Sequence, residues 1–221
     1  MQKFDTPAPV ATVLDIPAGR IRLIAADRAD TTVAILPADP SKSRDVKAAE
    51  QTTVEYADGA LRIRTSADNR LLGSSGHVEV TVHLPAGSRV DAKAATAELR
   101  STGRLGDVTV ELSHGSVELD ETTGAHLTLL AGDISVTRLG GPAEISTRKG
   151  DIRITEAVQG TVTLRTEAGG IEVGAARGVS AALDAGTGHG RIHNALRNAD
   201  GAADLTVHAT TGHGDITARS L

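Results

Sequence analysis

The 221-residue sequence predicts an all-β fold: a single-chain, parallel β-helix-like solenoid with right-handed crossovers, of about seven regular rungs preceded by irregular N-terminal ones. Three observations carry this. A unit of alternating apolar residues, a Gly turn and a second apolar-polar-apolar strand recurs along the last 130 or so residues, as in Ile145-Ser-Thr-Arg-Lys-Gly150-Asp-Ile152-Arg-Ile154. Taking the apolar residue two after the Gly as an anchor, anchors fall at Leu99, Val117, Ile134, Ile152, Ile171, Ile192 and Ile216. The residues seven and nine before each anchor are all apolar, from Ala92 and Val90 in the first rung to Ala209 and Val207 in the last. Inward positions of a strand repeat every second residue, so this is one buried face.

In chain order, Leu14, Ile16, Gly19, Ile21 and Leu23 make a first strand-turn-strand. A polar loop, Pro37 to Asp45, follows, and then a short helix around Val46–Glu50. Val54, Tyr56, Gly59, Leu61 and Ile63 read as a second strand-turn-strand with the offsets of a rung. Val78, Val80, Val82 and Leu84 alternate into Pro85-Ala-Gly87-Ser and the first strong rung. The reading is one continuous domain in which residues 1–88 are irregular rungs forming an N-terminal cap and residues 89–221 are the regular solenoid. In the regular part Gly stands two before the anchor in every rung but the first, which has Ala97. Gly supplies the positive φ of a tight corner. Anchor spacings run 18, 17, 18, 19, 21 and 24 residues. Period alone leaves an antiparallel meander with similar Gly turns as the competing arrangement.

Composition narrows the function. The chain has no Cys and no Trp, and Phe4 and Tyr56 are its only aromatics, so thiol chemistry, zinc-thiolate sites and aromatic stacking on sugars or bases lack their residues. The net charge is −5, and residues 101–221 carry 15 acidic against 10 basic side chains. Lys is scarce and Arg is scattered singly, which argues against a phosphate-binding stripe and so against nucleic acid as a partner. No apolar run approaches the length of a membrane span, and the N-terminal residues lack the apolar core of a secretion signal. Cytoplasmic localisation without membrane insertion is the expectation.

The segments Asp15-Ile-Pro-Ala-Gly19-Arg-Ile-Arg, Leu84-Pro-Ala-Gly87-Ser-Arg-Val, Gly103-Arg-Leu-Gly-Asp107 and Gly214-Asp-Ile-Thr resemble the DUF4097 family of β-strand-repeat proteins, often labelled "putative adhesins". The likeness covers nearly the whole chain and implies a β-solenoid. Its motifs make turns and strands, and none is a catalytic signature, so the resemblance brings no site residues with it.

Three constellations could carry chemistry. His189 and His213 occupy the same offset in Thr187-Gly-His189-Gly and Thr211-Gly-His213-Gly, so adjacent rungs would stack them about 5 Å apart, as candidate metal ligands with His193 or Asp215 near. His114 shares the offset several rungs away. Asp133, Asp151 and Asp215 each precede an anchor, and a stacked acid pair suits acid-base work or calcium. The simpler reading makes it a solvated pair neutralised by Arg148, Lys149 and Arg153, with each Asp bonded to its own turn. Thr147, Thr166, Thr187 and Thr211, each five before an anchor, form an inward hydroxyl ladder read as structural.

The sequence thus predicts no catalytic residue, no cofactor and no committed metal site, and a non-enzymatic, adhesin-like binding or assembly scaffold. Two other classes stay open: a carbohydrate-directed lectin or enzyme acting on the acidic face, and a metal-binding protein built on His189 and His213. The expected partner is a protein, or a second copy associating through the C-terminal rung, whose open edge the Asn198–Asp204 loop could cover.

Overall fold

The computed structural model describes residues 1–65, 76–198 and 202–221. The strands are β1 (Gln2–Asp5), β2 (Ala11–Asp15), β3 (Ala18–Ala26), β4 (Asp30–Pro37), β5 (Thr52–Ala57), β6 (Ala60–Thr65), β7 (Val78–Pro85), β8 (Arg89–Thr102), β9 (Arg104–Ala131) and β10 (Ile134–Leu139). They continue as β11 (Ala143–Lys149), β12 (Ile152–Ala157), β13 (Gly160–Ala168), β14 (Ile171–Ala175), β15 (Ala181–His189), β16 (Ile192–Ala195), β17 (Leu205–His213) and β18 (Ile216–Ser220). Among the described residues there is one helix, α1 (Ser43–Glu50), which covers the helix expected around Val46–Glu50 and takes in the end of the expected loop.

Each regular coil contributes two strands joined at a Gly corner, and like strands of successive coils pair in parallel. The antiparallel meander is thereby excluded for the regular part. The anchors meet as the repeat requires: Leu99 pairs with Val117, Val117 with Ile134, Ile134 with Ile152 and Ile152 with Ile171. The second inward column runs beside it, with Leu127, Ile145 and Leu164 in register and without solvent exposure. The ladder extends into the N-terminal residues, where Leu99 pairs with Ile21 and Ile21 with Val80. Nine coils stack among the described residues, a rod of roughly 40 Å at the spacing of sheet neighbours.

The corner geometry explains the Gly column. Gly115, Gly132, Gly150, Gly169, Gly190 and Gly214 all have φ between 135° and 157°. A Cβ on any of them would land on the corner carbonyl of the adjacent coil. The freed space is used by the hydroxyl ladder. Thr166 donates to the Gly150 carbonyl at 3.1 Å, Thr211 to Gly169 at 2.9 Å and Thr187 to Gly214 at 3.0 Å. A buried carbonyl left unpaired costs about 1–3 kcal/mol, so Gly and Thr act together at the Gly132, Gly150, Gly169 and Gly214 corners.

Two features of the N-terminal part differ from expectation. Val54 to Ile63 is not a rung: β5 and β6 pair antiparallel as a hairpin through Asp58 and Gly59, at φ 51° and 75°. Two successive positive φ values suit the right-handed twist of a hairpin, which a rung corner with one positive φ does not provide. β6 then serves as the first strand of an outer coil completed by β7, while β5, β4 and β1 add antiparallel strands that close this end. Helix α1 packs on β4, β5 and β7, and its buried Asp45 accepts the His77 N–H at 3.0 Å. β1 is clasped by Asp30, which accepts from Arg28 Nε at 2.9 Å and meets Lys3 Nζ at 3.2 Å.

The Arg28 hydrogen bond, helped by Lys3, lowers the Asp30 carboxyl to about 2. A depressed carboxylate contributes its stability above its ordinary value of 3.8, and that contribution fades as pH falls through about 2. The expected result is that β1 amide protection declines across this acid window in NMR-detected exchange, and that Asp30→Asn removes the dependence. Protection in the wild type that stays level to pH 2 would refute the clasp.

Candidate functional site

The coil that ends the chain is not the coil that ends the rod. β13 pairs with β17 and β14 with β18, so Ile171 meets Ile216. β15 and β16 stack on the far side of β17 and β18, so Ile216 meets Ile192. The spatial order is therefore Ile152, Ile171, Ile216, Ile192. The open edge belongs to the coil of Ile192, and self-association through the sequence's last rung needs that correction. Arg219 confirms the insertion by reaching Glu172 at 3.3 Å, while Arg153 holds the same carboxylate from the other side at 3.1 Å. The N-terminal end shows the same device, with β2 and β3 inserted between the outer β6–β7 coil and β8.

Two signals in the sequence match this order. Anchor spacing lengthens to 21 and 24 residues where the chain must first pass beyond a neighbour and then return. The residue two after the anchor is buried and apolar at Leu119, Val136, Ile154, Val173 and Ala218 but is Asn194 in the terminal coil. In the Leu99 coil that position holds Ser101, which is buried but hydrogen-bonded, its Oγ accepting the Asp120 N–H at 3.2 Å, whereas Asn194 stands exposed on the terminal coil.

The stacked histidines are where the repeat places them. His189 and His213 are register partners with ring centroids 4.7 Å apart and planes 3° from parallel. Both are exposed. Their companions point elsewhere: His193 pairs in register with Thr217, and Asp215 accepts the Arg191 backbone N–H at 2.8 Å. His114 lies in the coil of Val117, paired with Thr96. Among the described residues no group of three His, Cys, Asp or Glu side chains converges.

The carboxylates form a ladder along the rod. Asp133 Oδ1 accepts the Asp151 N–H at 2.9 Å, and Asp151 Oδ1 accepts the Gly170 N–H at 2.7 Å. Each Asp thus bonds the next coil's corner, not its own turn. The expected neutralising cations go to other acids, Arg148 to Glu167 and Arg153 to Glu172, because cross-coil register sets those residues opposite one another. On the outer faces the charges alternate along the stack. Lys93 meets Glu111 at 3.2 Å, Arg100 meets Glu118 at 3.0 Å, and Arg138 bridges to Glu156. Exposed pairs contribute about 0–1 kcal/mol each, so their effect lies in fixing register and balancing charge more than in stability. Within the Asn198–Asp204 loop, residues 199–201, Asp200 included, lie outside the described residues; Asp204 Oδ2 accepts the Ser180 N–H at 3.4 Å.

The arrangement defines a β-strand-repeat solenoid whose polar constellations bind coil to coil and whose outer faces are paired charges. The chain belongs to the Toastrack DUF4097 family, whose model matches residues 13–220. Among solved structures it is similar to a "putative adhesin" from Bacteroides fragilis, with 13% identity over 98% of this chain and 95% of that one and a TM-score of 0.60. A "putative adhesin" from Parabacteroides merdae matches at 11% identity over 98% and 94%, TM-score 0.45. A "putative cell adhesion protein" from Clostridium sporogenes matches at 10% over 100% and 98%, TM-score 0.40. Identity this low speaks to the fold alone. No curated protein matches the chain in sequence. Among the described residues no helix is long and apolar enough to cross a membrane.

Proposed function

We propose that this protein is a non-enzymatic binding or assembly scaffold that presents the flat polar faces and one open end of its rod to a protein partner. One observation supports this above the others. Of the side chains that could have formed a catalytic or calcium site, Asp133 and Asp151 each turn Oδ1, and the Thr ladder turns its hydroxyls, along the rod onto backbone groups of an adjacent coil. A carboxylate oxygen so bonded fixes its side chain along the stack, and among the described residues no group of three His, Cys, Asp or Glu side chains converges there to complete a metal site. The stacked histidines supply two parallel ligands, whereas a metal centre normally uses three or four that converge. The reading keeps the cytoplasmic placement, supported by a cysteine-free composition that gains nothing from an oxidising compartment.

The test pairs a zinc titration with a glycan-array screen on the intact protein. Zinc at neutral pH is expected to leave the melting temperature unchanged, since a micromolar site at millimolar metal would add about 4 kcal/mol. Glycan binding is expected to stay at background. A melting shift abolished by His213→Ala would reinstate the metal reading. A glycan signal lost with Glu144→Gln on the outer face would reinstate the carbohydrate reading.

A further inference from the structure

We propose that the edge formed by β15 and β16 is a self-association surface on which a second copy adds its own β15 and β16 antiparallel, giving an end-to-end dimer. The inference rests on the scaffold reading and names its partner. Among the described residues β15 has one strand neighbour, β17, and β16 has one, β18. The Ser180 carbonyl accepts from Leu205, so ladder alternation turns the backbone groups of Leu183, Ala185 and Thr187 away from the rod. Among the described residues the chain itself satisfies the first such position, where the Arg197 carbonyl accepts the Ala181 N–H at 3.0 Å. The apolar column also stops short. Ile192 is 45% exposed at a position that is 1% exposed at Ile216.

The two ends of the rod differ in protection. The β6–β7 end is covered by antiparallel strands and α1. β15, Ala-Ala-Leu-Asp-Ala-Gly-Thr-Gly-His, carries neither Pro nor Lys, the usual guards of a strand edge. One open end and one closed end lead to a closed pair, not a filament. The copy fits for reasons of symmetry. A two-fold axis normal to the sheets keeps inward side chains inward, so β15 meets β15, β16 meets β16, and the Ile192 column continues into its counterpart. With the axis at Gly186, the strand's one carboxylate, Asp184, lies opposite Gly188 of the copy and avoids its own charge. Gly186 has an ordinary φ, and a Cβ there meets nothing within 4 Å.

The test is sedimentation of the full chain over micromolar concentrations. The wild type is expected to approach twice the monomer mass as concentration rises. Ala185→Pro removes an outward N–H without touching the β17 ladder, and Ile192→Lys charges the open column; each is expected to restore the monomer with circular dichroism unchanged. Because the chain contains no cysteine, Gly186→Cys gives a direct reading of the register. Oxidation should yield a covalent dimer, since facing residues at a non-hydrogen-bonded position lie about 4.5 Å apart, whereas Thr163→Cys on the outer face should not. A wild type that stays monomeric, or a dimer that survives both edge variants, overturns the proposal. Neither outcome touches the scaffold reading, which the glycan and metal screens decide.

Discussion

Gly132→Ala is expected to destabilise the protein by about 3–5 kcal/mol, enough to remove much of the stability of a domain this size. The new Cβ would occupy the position of the Gly115 carbonyl oxygen, a backbone atom of the adjacent coil that is itself locked in the parallel ladder. The residue also sits at φ 141°, where an L side chain is strained whatever the space. Relief would require the Gly115 and Gly132 coils to separate, breaking bonds between them such as the Val117 N–H to the Asp133 carbonyl at 3.1 Å. Gly186→Ala makes the same chemical change where φ is ordinary and the space is open. It should lie within about 1 kcal/mol of the wild type, on the stabilising side, through the entropy of the unfolded chain. Urea unfolding compares the two, and equal midpoints would mean that the corner is not sterically closed.

Ile152→Ala is expected to cost about 2–5 kcal/mol, from lost transfer energy and the cavity left between two fixed neighbours. Ile152 is 1% exposed and stacked between Ile134 and Ile171 near the middle of the anchor column, so neither side can collapse to fill the gap. Arg153→Ala, one residue along, removes an exposed ion pair to Glu172 and should stay within about 1 kcal/mol. Ile192→Ala tests the spatial order. The same residue type at the same offset should cost much less, because that anchor is 45% exposed on the terminal coil. A cost at Ile192 equal to that at Ile152 would contradict a rod ending on β15 and β16.

Much of the fold was legible in the sequence because a solenoid writes its contacts at fixed offsets. Anchors, the inward columns, the Gly corners and the adjacency of His189 and His213 all follow from a repeat in which each residue packs on its equivalent. The Asp58-Gly59 hairpin was misread because its apolar offsets equal those of a rung; the two consecutive turn residues, not the spacing, carry the distinction. The roles of Asp133 and Asp151 were only half visible. Their place beside a corner is local, but the N–H each one accepts belongs to another coil.

What the sequence by itself determined is the content of each coil: which residues point inward, where the chain turns and why Gly must stand there, all consequences of local sterics and a period of two. What only the tertiary structure decided is the order in which the coils stack. Every coil offers nearly the same apolar face and corner, so local terms scarcely distinguish one neighbour from another. The choice falls to the coil as a whole. β17 and β18, with Leu205, Val207, Ala209, Ile216 and Ala218 all buried, gain most by being covered on both sides. β15 and β16, with Asn194 at a core position, lose least by standing at the end.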